Sequence, residues 1–474
     1  MVVARLMSWC VCVAALLLIE VAAQNAPPST VIVAIRNVTV IPATSGSAAP
    51  ITGATVVITG DRISALGPAS SIVIPKQARI VDGSGKFLMP GLIEMHGHSS
   101  KARGSSLGLS VANGVTTIRE MGGDHDELLR WRQEIAAGSR VGPRMLIAGP
   151  YLEAASRIER MRKDPPSERV EPFDRIRIPV GSPDDARRVI GELAKKGVDF
   201  VKIRTVQDND TYLALNEAAH AHKLRLTGHV PTGMDPEFVL KAGQDDIEHG
   251  FLPPLKIASR DERLALWRKF AARGVVVVPT MVVIRQSVLE PFDHLKAVVE
   301  DTAGKIEPRR PYISLFCLKD WREQLSETSP ARQKAYEEIA ANTLRDFREM
   351  HEAGVELLTG SDVSVLNIFP GSTLHDELAL FVSELKMTPA EAIERATRRS
   401  AKWLRIDGDT GTVEQGKIAD LMLLDANPLE DIRNTRRIAA VFLRGAFYDR
   451  AGIDKLLANV KAAEDVTVDD WGRK

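Results

Sequence analysis

The chain is predicted to be an α/β protein: a closed barrel of eight parallel strands alternating with helices, joined to a small β-sandwich built from both chain ends. Three observations carry that expectation. Short β-branched runs cluster at the two ends of the sequence, eight strand-like segments separated by helical patterns fill its middle, and polar residues able to hold a metal stand at the carboxyl ends of five of those segments. At 474 residues, 44% hydrophobic and 26% charged, the chain can bury a large core plus a small companion domain. Lys+Arg and Asp+Glu are equal at 62 each, so no basic surplus exists to drive nucleic-acid binding.

Residues 1–23 read as a cleavable leader. Arg5 precedes an apolar stretch from Trp9 to Ile19, and Val21-Ala22-Ala23 supplies a small-residue site with cleavage after Ala23. The apolar run falls short of the roughly 20 residues a spanning helix needs. A secreted or periplasmic protein with no stable membrane insertion is therefore expected, with an uncleaved anchor as the alternative. Cys10 and Cys12 would leave with the leader, and Cys317 alone cannot form an internal disulfide.

Residues 24–86 form the first part of the sandwich. After a polar linker at 25–30, the runs 31–35, 38–41, 54–59 and 63–66 read as strands, with Gly60-Asp61 as a turn. Residues 87–405 make the barrel, with strands expected at 87–95, 116–120, 144–148, 200–203, 225–229, 246–249, 275–279 and 355–359. Helical patterns separate most of them: 182–196 opens with a capping serine and a first-turn proline, and 334–353 carries apolar residues at helical spacing. An open doubly wound sheet is the alternative, although no Gly-x-Gly-x-x-Gly turn supports it. The stretches 151–178 and 284–330 are charged and irregular, and read as long connections that shape a pocket. Residues 406–450 return to β-rich character as the second part of the sandwich, and 451–474 is a polar helix or tail.

His96-Gly97-His98 ends the first barrel strand, where side chains two apart share a face, so both imidazoles can grip one ion. His220 and His222 have the same spacing on a helical segment, where positions two apart do not face each other. Read against the other strand ends, the pair gains company: Lys202, His229, His249 and Asp362 each occupy such a position, and each is a candidate metal ligand or acid/base. His125 and His375 sit by turn or helix-start signals and are placed outside the site, with a pocket-lining His375 as the alternative. Arg103, Arg119 and Arg204 lie near strand ends and could meet a substrate carboxylate or serve the structure.

The segments Met89-Pro-Gly-Leu-Ile-Glu-Met-His-Gly-His98, Gly197-Val-Asp-Phe-Val-Lys-Ile203, Thr227-Gly-His229, Ile247-Glu-His-Gly250, Thr359-Gly-Ser-Asp362 and Gly416-Lys-Ile-Ala-Asp420 resemble the amidohydrolase superfamily, within it the imidazolonepropionase-like and prolidase-like branch of metal-dependent hydrolases. The resemblance runs over roughly residues 31 to 450. It implies a distorted TIM barrel with a β-sandwich, and two divalent metal ions, zinc the first choice. By similarity His96, His98 and Asp362 hold one ion and His229 and His249 the other. Lys202, carboxylated by carbon dioxide to N6-carboxylysine, bridges them. The implied activity is hydrolysis of an amide or peptide C–N bond in a dipeptide, N-acyl amino acid or related amide, by metal-activated hydroxide with Asp362 as proton shuttle. A mononuclear cyclic-amide hydrolase or deaminase is the alternative, and a non-catalytic binding protein of this fold a third reading. The chain departs from imidazolonepropionase in its lysine, and from prolidase-like dipeptidases at Val230-Pro231-Thr232-Gly233, where those tend to place a tyrosine. No substrate-binding residue is assigned. A homo-oligomer is compatible with the fold.

Overall fold

The computed structural model describes residues 31–44, 49–163, 173–252, 254–257 and 259–463. The leader read at 1–23, and the last residues of the tail, lie outside them.

Five strands open the chain: β1 (Ile32–Val40), β2 (Ile51–Thr59), β3 (Arg62–Pro68), β4 (Arg79–Asp82) and β5 (Phe87–Pro90). The runs expected as two strands at 31–35 and 38–41 are the single strand β1, whose register with β2 shifts between Ile35 and Val38, where Asn37 takes a φ of 57°. The middle of the chain carries β6 (Leu92–Gly97), β7 (Val115–Glu120), β8 (Arg144–Ile147), β9 (Tyr151–Ala154), β10 (Arg177–Val180), β11 (Val201–Ile203), β12 (Leu226–Gly228), β13 (Asp246–Glu248), β14 (Val276–Val278) and β15 (Glu356–Leu357). Three more follow: β16 (Leu421–Leu424), β17 (Ile438–Leu443) and β18 (Ala446–Asp449).

The strands from both chain ends pair in one eight-stranded sheet, ordered β18-β17-β16-β5-β1-β2-β3 with β4 also on β1. The apolar run 87–95, expected as one strand, is divided. Its first half is β5, between β1 and β16, and its second is β6, parallel to β7. Gly91 marks the break: a Cβ there would lie 2.3 Å from the Thr116 side chain, so only glycine lets the chain pass from one sheet to the other at this point.

The middle strands form a TIM-barrel-like α/β arrangement. They run parallel in three groups, β6-β7-β8, β10-β9-β11-β12 and β13-β14-β15. Every residue of β6, β7 and β11 to β14 is buried, as expected for parallel strands covered on both faces. One or two backbone hydrogen bonds bridge each pair of groups, from Asp199 N to Ile147 O, from Asp245 N to Leu226 O, and from Met95 N to Thr359 O together with Asp362 N to His96 O. Helices cover the outside. Ser182 caps the helix Pro183–Lys195 by accepting from Asp185 N, and Ser329 caps Pro330–Glu352 in the same way, starting that helix four residues before the apolar periodicity indicates.

Both long connections contain regular elements among the described residues. The first contains β9, the helix Ala155–Lys163 and β10, and thus extends a sheet. The second is helical at Phe292–Glu300 and Leu315–Ser326, and packs its own core around Leu295, Val298, Leu318, Trp321 and Phe369. Charged surface residues hide the amphipathic period of both in the sequence.

Candidate metal centre

Six side chains named from the sequence, His96, His98, Lys202, His229, His249 and Asp362, line one cavity of ≈ 700 Å³. Strand β6 delivers His96, and His98 stands directly after its end, with the two ring centroids 5.1 Å apart. β11 contributes Lys202. β12 ends in Gly228 at a φ of +128°, where a Cβ would stand 2.0 Å from Ile203 O, and this close crossing sets His229 against the end of β11. His249 and Asp362 follow β13 and β15 with φ of 63° and 56°, a left-handed backbone that non-glycine residues adopt at some cost. Glu94 fastens the last of these segments to β6, accepting from His96 N, Ser361 N and Ser361 Oγ at 2.9, 2.9 and 2.6 Å.

The donor atoms converge. His96 Nε2 lies 3.2 Å from His98 Nε2 and 3.4 Å from Asp362 Oδ1. His98 Nε2 lies 3.2 Å from the same oxygen, and His249 Nε2 lies 3.6 Å from Asp362 Oδ2. Two ligands about 2.1 Å from one ion at tetrahedral angles would be about 3.4 Å apart. The far side of each ring is anchored. His96 Nδ1 donates to Glu248 Oε2 at 2.5 Å, His98 Nδ1 meets the Tyr151 hydroxyl at 3.1 Å, and His249 Nδ1 meets Thr280 Oγ1 at 2.6 Å. Such outward anchors fix ring orientation and, for His96, the tautomer that leaves Nε2 free to bind a cation.

Burial sets the electrostatics. It pushes His96 down to about 3 and lowers His98, His249 and His229 as well, so the imidazoles are neutral ligands near pH 7. Burial acts on Asp362 in the opposite direction, but the His96 and His249 rings and the bond to His98 outweigh it and hold the carboxyl well below its usual range. Lys202, 1% exposed, has no hydrogen-bond partner for Nζ among the described residues. Burial brings its pKa down to about 8 against the pull of Glu248 and Asp362. An isolated buried amine is costly, and its position among metal-competent donors fits a residue that meets an ion or a derivative of itself.

The remaining candidates lie elsewhere. His375 is buried between Thr435 Oγ1 and Asn113 O, and His220 pairs with Asp245 on the exposed face of a helix. Arg119 is fully buried, bound to Asp246, to Glu248 Oε1 at 2.5 Å and to Met95 O, and Arg103 pairs with Glu127. Arg204 alone of the three arginines lines the cavity. Sequence reasoning missed Glu248, Tyr151 and Thr280. Glu248 directly precedes His249, a signal that could have found it, whereas Tyr151 belongs to a stretch whose pattern looks irregular.

Imidazoles and a carboxylate gathered at the carboxyl ends of parallel strands in a TIM-barrel-like fold define a barrel enzyme with a candidate metal centre. Residues 87–447 match the amidohydrolase family, and the chain belongs to that family of metal-dependent hydrolases. It is similar to the ochratoxinase of Aspergillus niger, with 23% identity covering 86% of this chain and 85% of that one. Among solved structures it is similar to a provisionally assigned prolidase from Bifidobacterium longum, with a TM-score of 0.67, 26% identity and coverage of 91% of this chain and 100% of that one. A Xaa-Pro dipeptidase with bound methionine shares the fold at a TM-score of 0.65 and 21% identity, over 88% of this chain and 100% of that one.

Proposed function

We propose that the chain is an exported hydrolase of amide or peptide C–N bonds that works at a centre of two divalent ions, zinc the first choice. The observation that carries this reading is the convergence of three Nε2 atoms on the two Asp362 oxygens beside a buried, unpartnered Lys202 amine. In it His96, His98 and Asp362 take one ion and His229 and His249 the other. The Lys202 amine would add carbon dioxide and give up a proton to become a carbamate able to bridge the two ions, a step that needs the neutral amine, toward which burial shifts it. The scaffold in this reading is a closed (β/α)8 barrel, supported by the backbone bonds that bridge its three groups of strands. Its companion is a β-sandwich, supported by an apolar cluster that joins Val33, Val56 and Ile63 to Leu88, Leu421 and Phe442. Export rests on the leader at residues 1–23.

Bound divalent ions supply a water of lowered pKa and a polarised substrate carbonyl. The protein's part is proton handling and orientation. Asp362, held ionised, accepts the proton of the attacking water at a carboxylate oxygen and returns it to the leaving nitrogen. Glu248, Tyr151 and Thr280 keep the imidazoles aimed while this happens. The names of similar proteins, an ochratoxinase and a Xaa-Pro dipeptidase, accord with an amide or peptide substrate.

The test is to count metal per chain and to screen N-acyl amino acids, dipeptides and lactams with added zinc or manganese. Metal-dependent hydrolysis by a protein with two ions per chain is expected. Failure of a fully loaded protein on all three classes would remove the reading. A second reading, a one-ion deaminase or cyclic-amide hydrolase, draws on the grouping of His96, His249 and Asp362 within 4.8 Å, and one ion per active chain would select it.

A further inference from the structure

The cavity has two kinds of wall. From the β9 and β11 side comes Arg204, whose guanidinium carbon lies 5.6 Å from the Tyr151 ring centroid and whose Nε is 3.7 Å from the fully buried Glu153 carboxylate. Ring and carboxylate orient a cation that lines the cavity with Lys202 and His229. From the chain that follows β13 and β14 and from the helix Pro330–Glu352 come Leu252, Ile284, Val288, Tyr336 and Ile339. Leu252 and Tyr336 are 47% and 38% exposed, so the apolar wall continues to the surface.

The acidic side chains lining the cavity, among the described residues, are Asp362 and Asp320. The first is engaged by the imidazoles. The second lies 3.9 Å from Lys101 Nζ and accepts from Gln324 Nε2 at 2.9 Å. A charged ammonium laid against Leu252, Ile284, Val288, Tyr336 and Ile339 would lose its hydration to side chains that carry no charge. An uncharged chain would gain about 0.8 kcal/mol for each methylene buried.

We infer, granting the amide-hydrolase reading above, that the preferred substrates are N-acylated amino acids, with the carboxylate toward Arg204 and a bulky apolar acyl chain on the wall of Leu252, Ile284, Val288, Tyr336 and Ile339. Free dipeptides, whose N-terminal ammonium would fall on that wall, are poor substrates. Water adds across the amide, so the acyl carbon takes the hydroxyl, the nitrogen takes the proton, and a carboxylic acid and a free amino acid leave.

The experiment compares N-decanoyl-L-alanine, its C-terminal carboxamide and L-leucyl-L-alanine on the zinc-loaded full chain, by kcat/KM and by calorimetric binding. Decanoylalanine is expected to exceed both others by at least about tenfold, the size of discrimination that a single group in a binding pocket typically supplies. Arg204→Gln should raise KM for decanoylalanine by about tenfold and leave the carboxamide unaffected, with zinc content unchanged. Tyr336→Ala, at an exposed position, should weaken decanoylalanine and spare the dipeptide. Equal or better hydrolysis of leucylalanine would overturn the inference and leave the amide-hydrolase reading standing. Should none of the three be hydrolysed, the hydrolase reading is what suffers, and the binding order still decides the inference: tight decanoylalanine with weak dipeptide upholds it, and no binding of decanoylalanine overturns it.

Discussion

Asp362 sits at a φ of 56° with its amide bound to His96 O at 2.9 Å, so its backbone is fixed in a conformation that asparagine also tolerates. Asp362→Asn therefore keeps the fold and one ligand oxygen but removes the charge and the proton acceptor. Zinc should largely remain while kcat falls by about 10²–10⁴-fold; wild-type turnover in a metal-replete variant would end the shuttle role. Glu248 is a different kind of residue, since it touches His96 rather than the cavity and is itself held by Arg119. Although burial raises its carboxyl, Arg119 and His96 outweigh that and keep it ionised. Glu248→Gln should loosen zinc by about 10–100-fold in a chelator competition, and an unchanged affinity would show that the ring needs no anionic anchor. Lys202→Ala should leave fewer than two ions per chain by elemental analysis. Two tightly held ions in that variant would count against a bridging lysine.

At the level of elements, most strands are readable in the sequence, whereas β9, β10 and the helical insertion are not. His96-Gly97-His98 announces itself because period 2 puts both rings on one side of β6 whatever that strand packs against. The division of 87–95 into β5 and β6 depends on Gly91 meeting Thr116, a contact between segments 25 residues apart, and no local pattern encodes it. The helix Leu315–Ser326 is hidden for a similar reason, because its purpose is tertiary. Trp321 Nε1 donates to Ser364 O at 3.1 Å, while Gln324 accepts from Leu366 N at 2.9 Å and donates toward Ser364 O, so this helix grips the segment that follows Asp362. Ser364 itself has a φ of 95°, which makes that segment one that the surrounding structure must hold. Gln324→Ala would leave the buried partners unmet at a cost of about 1–3 kcal/mol. The expected result is faster amide exchange at Leu366 and a several-fold lower kcat at unchanged zinc content. Protection at Leu366 equal to wild type would mean that Trp321 suffices alone.

Across the whole molecule, the candidate ligands come from β6, β11, the ends of β12 and β13, and the segment after β15, so each of the three groups of parallel strands supplies at least one. These groups meet through one or two backbone bonds each rather than continuous ladders. An ion held by side chains from several of them ties together edges that the backbone joins only lightly, and it binds the folded chain alone, because the unfolded chain does not assemble the site. Free zinc at about 1,000 times its dissociation constant would then add about 4 kcal/mol to stability. With about 2.1 cal/mol/K of unfolding entropy per residue, a chain of this length converts that into a Tm change of about 4 °C. Chelated protein should melt lower by that amount in scanning calorimetry, and the loss should be reversed by zinc at a rising series of concentrations, with Tm following the logarithm of free metal. The same titration on a protein carrying alanine at both His96 and His98 should show a smaller slope, because that variant releases one ion fewer on unfolding. A Tm indifferent to metal in the wild-type chain would place the cohesion of the strands in their packing alone.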